Sequence, residues 1–254
     1  MNKKDLLNAY ITKFRDGLND FHYDTQIDSN MYDEAVKRAY RDAQRVFKNV
    51  DTNKITNPIK ALSKRIRAYF ENDKEQFSHE AFCKCFQDSF KKGYMSYGGA
   101  QKVVNLAFKY LYCFDEFRNV YDNKFQKCHM TIDSFILDWL YQDKQLRNFS
   151  KVKATDKWSS LSKKKYMLIQ NAVVSFLELK KSLFNAFEFE FILWPNLILY
   201  SSLIDFLHTV DNKLDKRHLR QKYRLKDIDQ LLKKTGTAIS NYGFDGKNIF
   251  EELE

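Results

Sequence analysis

Two prolines, Pro58 and Pro195, and seven glycines are the only strong backbone punctuation in 254 residues. A sheet-rich chain of this length needs many tight turns, and Gly and Pro supply the backbone angles those turns require. Their scarcity, beside long runs with apolar residues at three- and four-residue spacing, restricts the chain to an all-α fold. A hydrophobic fraction of 44%, with 16% aromatic residues, is ample for a packed core. The length suits one large domain or two intimate lobes; the expectation adopted is a single two-lobed helical domain, 1–254, with a cleft between the lobes.

The balance of 43 Lys and Arg against 33 Asp and Glu leaves a formal charge of +10. Such a field attracts polyanions, so nucleic acid is the first partner to consider and a solvated basic surface is the alternative. The opening MNKKDLLNAYITKF has no apolar core of a signal peptide, and the greasy stretch 191–204 is shorter than a bilayer span. These features predict an intracellular, cytoplasmic protein with no membrane partner. Cys83, Cys85, Cys113 and Cys128 have neither zinc-ribbon spacing nor the density of a disulfide framework, so reduced thiols and no bound metal are expected.

Periodicity predicts helices over 31–50, capped by Ser29 or Asn30, over NPIKALSKRIRAYFEN with Pro58 in its first turn, and over 78–92 with Ser78 as cap. In QKVVNLAFKYLYCF a broad apolar stripe leaves Lys102, Asn105 and Lys109 on an adjoining polar one. TIDSFILDWLYQDKQLRN reads as one helix capped by Thr131, with Asp133 in its first turn. A long helix follows over SKKKYMLIQNAVVSFLELKKSLF, then a very apolar one, or a pair broken at Pro195. The Lys-rich segments 151–165 and 211–234 read as exposed connections or faces, and the last forty residues as basic and amphipathic.

The glycine pair in YGGAQKVVNLAFK stands just before Lys102, and TIDSFI carries Asp133 downstream. A helix, a tight glycine turn and then Lys102-Val103-Val104-Asn105 resembles the helix-hairpin-helix of the DNA glycosylase superfamily, here over about 78–114. The spacing to Asp133, the Gln101-Lys102 pair and the second lysine, Lys109, are similar to the archaeal-type 8-oxoguanine DNA glycosylases. Glu190-Phe191-Ile192-Leu193-Trp194 resembles the late polar-then-aromatic pair with which those enzymes hold the extruded base.

The resemblance implies a monomeric DNA glycosylase with associated lyase activity, acting in base excision on a modified base, 8-oxoguanine first, extruded from duplex DNA. It implies Lys102 and Asp133 as the catalytic pair. Breaking an N-glycosidic bond builds positive charge on the sugar, which a carboxylate stabilises, while an amine attacks C1′ and leaves a Schiff base. The amine must be neutral to attack, and Lys109 on the same face is expected to disfavour a second cation. An extruded base needs apolar walls, for which Leu106 and Trp194 are candidates, and an acceptor for its edge, for which Glu190 is the candidate. The stretch Tyr97, Gly98, Gly99, Ala100 and Gln101 would hold a backbone phosphate through its N–H groups. No cofactor is implied, since the iron–sulfur cluster of the endonuclease branch needs cysteines beyond Cys128 and the chain has none there.

Each residue also has a plainer reading: Lys102 a solvated lysine, Asp133 a helix-start carboxylate, Gly98-Gly99 a turn, Trp194 a core ring and Glu190 a surface charge. Two rival functions follow. One is a non-catalytic nucleic-acid-binding protein of the same fold, and the other a helical, defence-related interaction protein whose basic face meets a partner protein.

Overall fold

The computed structural model describes residues 3–16, 30–44, 47, 55–210 and 215–223. The described residues are helical, joined by turns and coil, with no strand among them. The helices are α1 (Lys3–Asp16), α2 (Met31–Ala43), α3 (Thr56–Glu71), α4 (His79–Asp88), α5 (Tyr97–Tyr112), α6 (Asp115–Phe125), α7 (Ser134–Gln142), α8 (Lys144–Ser150), α9 (Lys163–Leu179), α10 (Ala186–Val210) and α11 (Lys216–Lys222). The fold is all-α, as the sparse Gly and Pro require.

Helix α5 is the axis of the molecule, packed by α2, α4, α6 and α9. From Gly98 to Tyr112 every residue is buried except Lys102. A helix enclosed all round should be apolar all round, yet this one buries Gln101, Asn105 and Lys109 at i, i+4 and i+8. That ridge replaces the expected stripe of Lys102, Asn105 and Lys109. Lys102 alone leaves the core, and the three buried polar side chains need partners inside it.

The glycines are not a turn before the helix. Ser96 is the N-cap, its Oγ accepting from the Gly99 N–H at 2.9 Å, so Gly98 and Gly99 lie in the first helical turn. The turn itself spans 89–96, where Gly93 takes φ +85°, a left-handed conformation that suits a residue without Cβ. Gly98 has another reason to be bare: a Cβ there would lie 1.9 Å from the Trp158 carbonyl oxygen, so another segment of main chain sits where a side chain would be.

Several expected boundaries move. Ser78 caps α4 by accepting from the Ala81 N–H, but the helix stops at Asp88. Asn30 precedes α2 without a side-chain cap, Ser29 lies outside the described residues, and α2 ends at Ala43. Asp133, not Thr131, caps α7, and Asp143 in extended conformation divides the expected single helix into α7 and α8. Helix α10 runs 25 residues straight through Pro195. Proline cannot donate to the carbonyl four residues back, and beside that gap Asn196 Nδ2 donates to Ile192 O at 2.8 Å. This is one helix among the described residues long and apolar enough to cross a membrane, and half of its most apolar window is buried inside the protein. Both ends of the Lys-rich segment 211–234, and most of the basic C-terminal stretch, lie outside the described residues.

The buried residues form one contiguous cluster drawing on helices from α1 to α11, with Phe70, Phe108, Phe117 and Phe125 among its most enclosed rings. Residues 128–133 cross this core without secondary structure. Buried coil leaves backbone N–H and C=O groups that must find partners, and those partners define the candidate site.

Candidate functional site

The coil from Met130 to Asp133 is bonded at each residue by polar side chains from elsewhere in the chain. Met130 O accepts from Asn105 Nδ2 at 3.0 Å and from Gln170 Nε2 at 2.7 Å. The Thr131 N–H donates to Glu190 Oε2 at 2.7 Å. Gln101 grips Ile132 on both sides, accepting from its N–H at 3.3 Å and donating to its C=O at 2.8 Å. Asp133 then accepts from the Ile136 N–H at 3.0 Å through Oδ1 and from the Trp194 indole N–H at 3.2 Å through Oδ2. Residues that sequence reasoning singled out, from α5, from the aspartate segment and from α10, thus converge on four consecutive residues.

Asp133 is 7% exposed, and among the described residues no cation stands within ion-pair range of it. What holds the carboxylate is the start of α7, through the cap bond and the helix dipole, and one indole donor. A buried carboxylate with hydrogen-bond donors but no counter-ion is positioned to stabilise positive charge brought in by something else.

Lys102 is neighbour in sequence to Gln101, so the two-way bond to Ile132 fixes the helix start bearing the lysine against the helix start bearing the aspartate. The two side chains are not ion-paired. The Lys102 ammonium lies 4.4 Å from the centroid of the Trp158 ring, in a cation–π contact that no local sequence signal indicated. Trp158 opens a single 3-10 turn, Trp158–Ser160, packed on the first turn of α5.

Lys109 and Glu190 take a different arrangement from the one expected. Lys109 Nζ and Glu190 Oε1 are 2.9 Å apart, and both side chains are 2% exposed. Phe14, Phe191 and Trp194 surround the ammonium at 4.6, 4.9 and 5.3 Å. Its charge is answered by Glu190, so Lys109 does not act as a bare cation beside Lys102. Both Glu190 oxygens are engaged, one by Lys109 and one by the Thr131 N–H, so the carboxylate fastens α5 and α10 to the coil. Trp194 is half-buried with Phe14 and Phe135 edge-on to it, and Leu106 is buried at the same helix one turn beyond Lys102. Tyr97, Gly98, Gly99, Ala100 and Gln101 form the opening turn of α5, where Ser96 Oγ already takes the Gly99 N–H.

A second network lies behind Asn105. His79 Nε2 donates to Asn105 Oδ1 and the Tyr97 hydroxyl donates to His79 Nδ1, each at 3.0 Å. Asn105 Nδ2 donates to the Tyr166 hydroxyl at 2.9 Å, and that hydroxyl is hydrogen-bonded to His129 Nδ1 at 3.1 Å. His79 and His129 stack at 4.5 Å. Burial, and then the neighbouring His129, hold His79 well below the usual imidazole range, and burial lowers His129 to about 4. Both rings are neutral near pH 7.

Between the unfolded value near 6.5 and the folded value near 4 the unfolded chain binds a proton at His129 that the folded chain does not, so stability falls as pH drops through that window. The loss expected from this histidine is on the order of 3 kcal/mol at full effect. His129 lines a groove of about 590 Å³ with Lys3, Gln170 and Phe184, whereas His79 is buried in the core. Melting curves of the parent and of His129→Gln between pH 7 and pH 4.5 check this: the parent should lose stability more steeply, and parallel curves would remove His129 from the acid response.

Among the described residues no group of three or more His, Cys, Asp or Glu side chains could hold a metal ion. The chain matches no protein-family model, no curated protein and no solved structure at a significant level.

Proposed function

We propose that the chain is a helix-hairpin-helix type DNA glycosylase with associated lyase activity, which excises a modified base from duplex DNA, with 8-oxoguanine the first to test. The observation that carries the proposal is the two-way bond between Gln101 and Ile132. It holds Lys102, the one residue of α5 beyond Tyr97 that leaves the core, beside the helix start of Asp133, a buried carboxylate without a counter-ion. Helix α4, the turn containing Gly93 and α5 form the helix–turn–helix that would meet the DNA backbone. The two-lobed arrangement, with the extruded base between lobes, belongs to the same proposal.

In this mechanism the Lys102 amine attacks C1′ of the extruded nucleotide as the N-glycosidic bond breaks, and the base leaves with the bonding pair and is protonated. Asp133 stabilises the positive charge on the sugar during that step; the C1′–O4′ bond then opens, O4′ taking a proton from water, to leave the sugar as a protonated Schiff base on the lysine, and loss of a C2′ proton to water expels the 3′ phosphate. Leu106 and Trp194 are the walls proposed for the base, and Trp194 also orients the Asp133 carboxylate through its indole N–H. Glu190 is a positioning residue here, holding Thr131 and hence Asp133. Lys102→Gln should abolish strand scission at an abasic site while duplex affinity stays within a few-fold, because one charge contributes modestly to polyanion binding. Scission that survives in this variant would remove the lysine from the mechanism.

A second reading, a non-catalytic nucleic-acid-binding protein of the same fold, is favoured by one observation: the Lys102 ammonium rests on Trp158 and not against Asp133. It predicts salt-dependent DNA affinity with no scission in the parent protein.

A further inference from the structure

The segment 151–165, KVKATDKWSSLSKKK, holds six lysines against one acid, Asp156. Lysine runs are usually solvated faces, but this one is fastened down at both ends and in the middle. Val152 and Leu161 are buried in the core. Lys165, the least exposed of the six, bonds to Asp156 and to Lys151 O, closing the segment on itself. At its centre Ser96 Oγ donates to Ser159 O, and the Trp158 carbonyl fills the space left by the missing side chain of Gly98. The basic segment is therefore a fixed extension of the helix start that carries Lys102.

What it presents is specific in kind. Lys151, Lys153, Lys157 and Lys164 are exposed and have no acidic partner among the described residues, whereas Lys163 pairs with Glu80 on the surface. Among them stands Trp158, half-buried, its ring already a seat for the Lys102 ammonium. Phosphates spaced along a strand match exposed lysines, and an unstacked base matches a half-exposed indole in their midst. An acidic protein surface would use the charges but brings no base to stack on the ring.

We propose that residues 151–165 form a grip for one strand of DNA, with phosphates on Lys151, Lys153, Lys157 and Lys164 and a base beside the extruded nucleotide stacked on Trp158. Stacking a base there displaces the Lys102 ammonium from the ring, so strand binding frees the amine next to the sugar it is to attack. The grip takes its partner, DNA, from the proposed function, but binding can be read without any chemistry.

The test uses the full chain and a labelled duplex containing a tetrahydrofuran abasic analogue, which cannot form a Schiff base, with binding followed by anisotropy over a range of salt. Changing Lys151, Lys153, Lys157 and Lys164 together to Gln should weaken binding more than tenfold at moderate salt. The log–log salt slope should fall by about 0.9 for each phosphate that the variant no longer neutralises. Trp158→Ala should weaken binding roughly 5- to 100-fold with the salt slope unchanged, and Trp158→Phe should recover most of that affinity. Melting temperatures are read for every variant, and the lysine variant, altered only on the surface, should melt with the parent. A parent-like slope in the lysine variant, parent-like affinity in Trp158→Ala, equal weakening in Trp158→Phe and Trp158→Ala, or a parent that polyglutamate occupies as tightly as DNA would each overturn the grip. Variant effects as expected, together with no covalent chemistry in the parent, would leave the grip standing and remove the glycosylase reading.

Discussion

Replacing Lys109 by methionine is expected to lower the melting temperature by roughly 6–20 °C. The change leaves the Glu190 carboxylate buried without its counter-ion, and breaking a buried pair by removing one partner costs about 3–5 kcal/mol. In a domain of this size each kcal/mol moves the transition by roughly 2–4 °C. The penalty comes from the orphaned charge more than from the missing attraction, which makes a second expectation. Lys109→Met combined with Glu190→Gln should melt above Lys109→Met alone, since a neutral amide can still accept the Thr131 N–H without a buried charge. A double variant as unstable as the sum of the two single changes would mean that the residues do not act as a pair. The result also separates the two lysines of α5. Lys109 is enclosed by Phe14, Phe191 and Trp194 and holds the core together, whereas Lys102 can be changed with little effect on folding.

Asp133→Asn should reduce base excision by at least about 100-fold while the protein remains folded. The side chain caps α7, and asparagine caps a helix about as well as aspartate does, so the Ile136 N–H keeps its acceptor. The amide nitrogen cannot accept the Trp194 indole N–H, a loss of about 1–2 kcal/mol. The charge that would stabilise the sugar cation is gone, and electrostatic terms of this kind commonly amount to two or three orders of magnitude in rate. Excision measured under single-turnover conditions, beside a melting curve, distinguishes a chemical role from a capping role. Unchanged excision in the folded variant would leave Asp133 as a cap and no more.

The all-α class was legible because Gly and Pro scarcity and helical periodicity are local properties, and so were the Ser78 cap and the place of Pro58 in α3. The residues of the candidate site were legible as types, but most of their partners were not. Lys109 and Glu190 are far apart in the chain, and no spacing rule could pair them. Gln101 looked like part of a hairpin, yet its amide is buried to satisfy both sides of Ile132. Thr131 was the natural cap by sequence, but the coil before α7 is held extended by side chains from α5, α9 and α10, which moves the helix start to Asp133. The glycine pair misled for the same reason. A bare residue in the first turn of α5 answers to the main chain at Trp158, an approach made across the fold, and that approach also places Trp158 beside Lys102.

The most direct measurement is borohydride trapping of the parent protein on a duplex with a natural abasic site and on duplexes with modified bases, followed by peptide mapping of the adduct. A covalent adduct located at Lys102, and absent from Lys102→Gln, is the result this account predicts. No adduct on any of these DNAs, or an adduct that maps to another lysine, would contradict it.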